Sequence, residues 1–174
     1  MKALKIVLII IAVLVVLVIA LFAIFWLINK QGVVEAYDIG ESESSRKLLI
    51  ASQGSNFKNA LVESVTTHIA KESIYVSVVD VTDLENVKED DWDAVLLIHT
   101  TEQWKLQPDV KAYLDHAQSL DKVIVVTTSG SGEWKSEEYD VDVMTSASKS
   151  EELPMLTNDI VTKLQDMLQL APGD

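Results

Sequence analysis

The chain has no cysteine. Disulfides, thiolate metal sites, iron–sulfur clusters, cysteine nucleophiles and lipid attachment at a Cys are excluded with it. Arginine is nearly absent. Arg46 is the only one, so arginine-clamp chemistry on phosphate or carboxylate is excluded as well. Positive charge is scarce throughout: 14 Lys+Arg face 27 Asp+Glu, a formal charge of −13. That figure hides a split. Residues 1–30 carry Lys2, Lys5 and Lys30 and no acid, while residues 31–174 carry 11 basic and 27 acidic groups, a net of −16. Nucleic-acid affinity comes from neutralising phosphates with Lys and Arg, so no nucleic-acid partner is expected. A length of 174 residues leaves room for one ordinary domain and an extra segment.

The extra segment runs from Ile6 to Ile28, 23 residues without a charged or strongly polar side chain. As a helix it is about 34 Å long at ~1.5 Å per residue, against a hydrocarbon core of roughly 30 Å. Phe22, Phe25 and Trp26 gather at its C-terminal end, where aromatic rings favour the membrane interface. A cleaved signal peptide is the competing reading, with Val34-Glu35-Ala36 as a small-x-small site. The apolar run exceeds the roughly 7–15 residues of a signal-peptide core, which favours an uncleaved single-pass anchor over residues 1–30. Lys2, Lys5 and the N-terminal amine precede the span and Lys30 follows it, a bias toward N-in, C-out. Residues 31–46, rich in Gly, Ser and Glu, read as a flexible linker. The acidic charge beyond it argues against docking on anionic lipid.

From Lys47 onward, strand and helix patterns alternate. Lys47–Ala51 is a short apolar run that ends in the turn cluster Ser52–Asn56. Phe57, Leu61, Val65 and Ile69 recur at a helical period, with Ser55 or Asn56 as the cap. Ile74–Val81 is β-branched and reads as a strand. Asp83–Trp92 is acidic and irregular, with room for one short helical turn. Ala94–His99 and Val123–Thr127 are continuous apolar runs, the mark of strands covered on both faces. A helix is expected over Asp109–Leu120, with Val110, Tyr113, Leu114 and Ala117 on one face. Val141–Ser146 reads as a weaker strand and Glu151–Leu170 as the last helix, with Ile160, Leu164, Met167 and Leu168 inward. Pro154 suits its first turn, and Pro172-Gly173 lie past its end. Strands alternating with helices imply a parallel α/β sheet, here of five strands. Ligands of such sheets bind beyond the carboxyl ends of the strands, near the point where strand order reverses.

The loops at those ends resemble the flavodoxin-like family. Leu48-Leu-Ile-Ala-Ser-Gln-Gly-Ser-Asn-Phe57 looks like its first strand and FMN-phosphate loop. Asp93-Ala-Val-Leu-Leu-Ile-His-Thr100, followed by Leu106–Asp115, looks like its third strand, flavin-side loop and helix. Asp121–Gly130 looks like its fourth strand and loop. The resemblance covers residues 47–170 of a domain placed at 47–171. It implies a doubly wound five-stranded parallel sheet of order 2-1-3-4-5, often with FMN and an electron-transfer or quinone-reductase role. The partner would then be a redox protein or a quinone. Two departures stand out. Gly54-Ser55 replaces the usual Thr-Gly, and Phe57 replaces the last hydroxyl residue of the phosphate loop. The helix between the fourth and fifth strands is nearly absent, leaving Gly132–Asp140 to make the crossover.

In the first loop Ser52, Gln53, Gly54, Ser55 and Asn56 offer backbone N–H groups and side-chain donors at a helix N-terminus, which suits an anion. The same residues also read as an ordinary capped turn. Any phosphate held there would rest on neutral donors. Trp104 and Trp134 fall in the loops after the third and fourth strands, where they would either stack on an isoalloxazine ring or cover the sheet end. Thr100 and Thr101, with Thr128, Ser129 and Gly130, would supply hydroxyls and backbone donors to the ring edge and ribityl chain. His68 and His116 read as helix-surface residues and His99 as a packing residue at the end of a strand. Lone histidines without spacing give no metal site. No P-loop, dinucleotide fingerprint, receiver-type acidic pair or nucleophile elbow is present. Two readings follow. One is a membrane-anchored FMN-binding electron carrier or oxidoreductase. The other is a flavin-less module that uses the same surface as a protein-interaction domain at the membrane.

Overall fold

The computed structural model describes residues 2–29 and 32–170. Two compact units divide near residue 31. The first is helix α1 (Lys2–Asn29), 28 residues long. Its stretch Lys5–Ile24 is long and apolar enough to cross a membrane, and none of it is buried within the chain. The side chains of Phe25 and Trp26, together with Lys30 and Pro172-Gly173, lie outside the described residues.

The second unit is an α/β sandwich around one sheet. Its strands are β1 (Tyr37–Ile39), β2 (Lys47–Ser52), β3 (Tyr75–Asp80), β4 (Ala94–Thr100), β5 (Val123–Thr128) and β6 (Asp142–Ser146). The spatial order is β1-β3-β2-β4-β5-β6. β2 to β6 pair in parallel, and β1 adds to the β3 edge antiparallel, with Tyr37 opposite Val78. The sheet therefore has six strands and not the expected five. The sixth comes from residues read as linker. Its sequence has too little apolar patterning to signal a strand, and the edge of β3 supplies the hydrogen bonds that make it one.

Residue parity divides the sheet into two cores, as a period of two requires. Leu48, Ile50, Leu96, Ile98, Ile124 and Val126 face the helices α2 (Asn56–Ile69) and α4 (Leu153–Leu168). Leu49, Ala51, Val95, Leu97, Val123 and Val125 face α3 (Pro108–His116) and the 3₁₀ turn Val81–Asn86. Both faces of β4 and β5 are covered, which accounts for their unbroken apolar runs. β3 alternates between buried and half-buried positions. Two 3₁₀ turns, Val81–Asn86 and Glu89–Asp91, follow it, where the acidic stretch left room for one short helical turn.

Boundaries follow from capping. The Ser55 hydroxyl accepts from the Lys58 N–H at 3.2 Å, so Ser55 and not Asn56 caps α2. α3 ends at His116, four residues short of expectation, because Ala117 turns to an extended conformation. α4 begins at Leu153 with Pro154 in its first turn, after the 3₁₀ turn Ser150–Glu152. At its far end the Arg46 guanidinium donates to the Gln169 carbonyl at 3.1 Å, so the single arginine satisfies a helix-terminal acceptor. The crossover from β5 to β6 has no helix. Trp134, Tyr139 and Val141 from that loop pack against the α3-side core in its place.

Candidate functional site

Order reverses between β2 and β4, and polar side chains converge at the carboxyl ends of these strands and β5. Ser52, Gln53, Lys58, His99, Thr127, Thr128 and Ser129 are all buried there. Lys58 is the unexpected member. It is 1% exposed and lies in the first turn of α2. Leu61, Val62 and Val65 follow it at three, four and seven residues and are buried too. That spacing was visible in the sequence, since a helix that buries 61, 62 and 65 buries 58 on the same face. The polar set at these strand ends thus holds a buried cation beside the neutral donors expected there.

The Lys58 ammonium donates to the Thr100 hydroxyl at 2.7 Å. Thr100 and Thr128 hydroxyls are 2.8 Å apart, and the Thr128 hydroxyl donates to the His99 carbonyl at 3.2 Å. The order of protons follows: the Thr128 proton is committed to His99, so Thr100 donates to Thr128. Burial pulls the Lys58 ammonium down to about 8. His99 bonds Thr127 through Nε2 at 3.0 Å. Burial, together with the Lys58 charge, lowers His99 to about 4, so it is neutral at pH 7. Gln53 is used twice. Its N–H donates to the Ile98 carbonyl at 3.0 Å, and its side-chain oxygen accepts from the Thr100 N–H at 2.6 Å.

The chain itself covers the loop after β2. The Gly32 N–H donates to the Gly54 carbonyl at 2.6 Å, and the Gly54 N–H returns a bond to the Gly32 carbonyl at 2.9 Å. Two residues on, the Val34 N–H donates to Asp80 at 2.8 Å. The same carboxylate caps the Val81–Asn86 turn through Thr82. Residues 32–39 thus form a strap, held at Gly54, at Asp80 and along β3. Glycine is required at position 54, since a Cβ there would stand 2.7 Å from the Gly32 carbonyl carbon. Nothing local in the sequence signals this pairing.

Most of the residues expected to hold a flavin are engaged within the chain. Ser52 donates to the Gln53 carbonyl and Ser55 caps α2. Gly54 is engaged by Gly32, and Asn56 is exposed at the head of α2. The Thr101 N–H extends the β5 ladder to the Thr128 carbonyl at 2.9 Å, and its hydroxyl donates to the Lys105 carbonyl at 3.0 Å. Ser129 holds the Gly132 N–H, and Gly130 is exposed. Trp134 packs on the α3-side core. Trp104 is 70% exposed. It forms with Gln103 the two-residue tip of a hairpin closed by Glu102 and Lys105. Gln103 and Trp104 have φ of 52° and 61°, a type I′ turn that asks for Asn-Gly. In this arrangement the residues do not fit FMN. Gly32 stands on the phosphate loop, the Thr100 and Thr128 hydroxyls are engaged with each other and with Lys58, and Trp134 packs on the α3-side core. His68 and His116 are exposed on helices, and each bonds the carbonyl four residues earlier.

No family model matches the chain, and no curated protein matches it. Among solved structures, the chain is similar to an oxidoreductase from Corynebacterium diphtheriae, with 14% identity and a TM-score of 0.48, over 73% of this chain and 97% of that one. A likeness this distant concerns the course of the backbone and says nothing of chemistry.

Proposed function

We propose that the chain is a membrane-tethered, flavodoxin-like module whose strand-end face binds a protein partner without a flavin. With β1 set aside, the parallel strands run second, first, third, fourth, fifth, the order that the resemblance to flavodoxins implies. The tether is α1. Its apolar stretch is long enough to span. The residues just beyond it are built into the domain through Gly32 and Val34, and cleavage after Ala36 would remove those contacts. The lysines ahead of the span favour a domain outside the compartment that holds the N-terminus, which protease protection in sealed vesicles tests.

The observation that carries the interaction reading is Trp104. A large aromatic ring 70% in solvent, on a turn with two non-glycine residues at positive φ, is costly twice over. Such strain persists where function holds it, and exposed tryptophans are frequent binding anchors. The strap over Gly54 supports the flavin-less half of the reading. The test has two parts. A photo-crosslinking residue at Lys105, introduced in native membranes, should give a discrete adduct, and one at Lys71 should not. Equal labelling at both sites would sink the interaction reading. Purified full-length protein should leave FMN fluorescence unquenched at micromolar concentration, and quenching would restore the flavin carrier.

A further inference from the structure

The strap lies more lightly on the domain than any other part of the sheet. In β1 two of the three residues are exposed and the third is half-buried, whereas the other five strands contain no exposed residue. Val33 is 81% exposed, and Gly32, Glu35, Ala36 and Asp38 are exposed with it. Within the strap, Val34 and Ile39 pack on the apolar core beneath. The rest of its fastening is polar. It consists of the Gly32–Gly54 pair, the Val34 N–H on Asp80, the three-residue ladder along β3, and the Ser77 hydroxyl, which donates to Asp38 at 2.7 Å. A segment with little buried apolar surface and exposed hydrogen bonds opens at a lower free energy than the core it lies on.

Each end of the strap has its own joint. Gly40 follows β1 with φ of 85°, and a Cβ there would collide with the Ile74 carbonyl oxygen, so this turn is built for glycine. Residues 41–45 are all Ser or Glu. The body of the domain resumes at Arg46, whose carbonyl accepts from the Tyr75 N–H, and at Lys47, where β2 begins. At the other end, two residues separate Gly32 from Asn29, the last residue of α1. The chain between α1 and its first contact with the domain therefore has two lengths. With the strap fastened it runs from Asn29 to Gly32, a maximum span of about 10 Å. With the strap released it runs from Asn29 to Arg46, about 60 Å at ~3.5 Å per residue.

We propose that the strap is a latch that sets the length of the membrane tether. Closed, it keeps the domain on the short span. Open, it lets the strand-end hairpin reach a partner farther from the end of α1, and it leaves the β3 edge and the loop after β2 uncovered. The latch rests on the reading of α1 as the tether and regulates the partner-binding face.

Two substitutions open the latch from different sides. The three atoms nearest to a Cβ at position 54 all belong to Gly32, so Gly54→Ala expels the strap. Val34→Pro removes the N–H that Asp80 accepts. Full-length protein in nanodiscs is followed by hydrogen exchange and by energy transfer from a fluorescent amino acid at Lys71, an exposed position after α2, to labelled lipid. In the unaltered chain the Val34 and Gly54 amides should exchange at least about tenfold faster than those of β4. Exchange at the β4 rate would mean that strap and core open together and would overturn the latch. Each variant should speed the remaining strap amides about tenfold, leave β4 unchanged and lower energy transfer about twofold. Unchanged transfer in a variant whose strap exchanges freely would overturn control of the tether length. Loss of the protein from carbonate-washed membranes would sink the tether itself, a failure separate from the exchange result.

Discussion

At the carboxyl end of the sheet, Lys58, Thr100 and Thr128 pass hydrogen bonds in series to the His99 carbonyl, Gly32 covers the loop beside them, and among the described residues the His99 Nδ1 atom alone of this set has no hydrogen-bond partner. Beside α3, Glu85, Asp90 and Asp91 border a groove of about 710 Å³, and the buried Tyr113 hydroxyl has no partner among the described residues. The first region is where α/β sheets bind ligands as a class, yet here the chain supplies its own occupant. The second has no standing in the fold's usual habits, yet it keeps open volume bordered by acids. Topology says where a site is geometrically easy. Side-chain contacts decide whether that place is left open, and a buried unpaired group occurs in both regions, His99 Nδ1 in one and the Tyr113 hydroxyl in the other.

The largest expected effect comes from titrating the strand-end region. His99 is held near 4, below its ordinary 6.5. The unfolded chain therefore takes up this proton first as pH falls. The stability linked to His99 is complete above about pH 6.5 and is lost on the way down to about pH 4, roughly 3 kcal/mol at ~1.4 kcal/mol per pH unit. Denaturant titrations of the full chain should show His99→Leu with a flatter slope across that window. An identical slope in both proteins would mean that His99 is hydrated and the region is not closed. Next in size is Thr128→Val, which takes the acceptor from Thr100 and the donor from the His99 carbonyl. Unfolding free energy should drop by about 2 kcal/mol.

Tyr113→Phe is the opposite experiment in the other region. Removing a buried hydroxyl that has no partner among the described residues should raise stability by about 1 kcal/mol. A loss of stability there would show that the hydroxyl is already satisfied. The smallest effect is expected at the hairpin tip. Trp104→Gly relieves a left-handed backbone cost of ~1 kcal/mol or more but frees the unfolded chain, leaving a net gain of about 0.5 kcal/mol. The same variant should lose the crosslinked partner, so stability and binding move in opposite directions.

Much of the fold was legible from local pattern. The runs at 94–99 and 123–127 read as doubly covered strands because both faces of β4 and β5 are in fact packed. The helix after Ser55 read correctly because its cap and its period are contained within one stretch of chain. Where reading failed, a distant group intervened. Tyr37–Ile39 has no strand signal of its own and is a strand because β3 offers an open edge. The candidate site was the least legible part. Ser52, Thr100 and Thr128 were placed at the strand ends by topology, and the structure brings them there. That their hydroxyls would be spent on one another, on Gln53 and on Lys58 required knowing which side chains meet.

Residue order alone settled the acidity of the domain, the apolar helix ahead of it and the alternation of strand with helix, because charge and hydrophobic period are properties of neighbours in sequence. The strap at Gly54, the burial of Lys58 against Thr100 across 42 positions and the orphaned hydroxyl of Tyr113 were decided only by folding. Each depends on contact between segments that no local pattern couples. The cost of an unpaired polar group exists only once water has been excluded from around it.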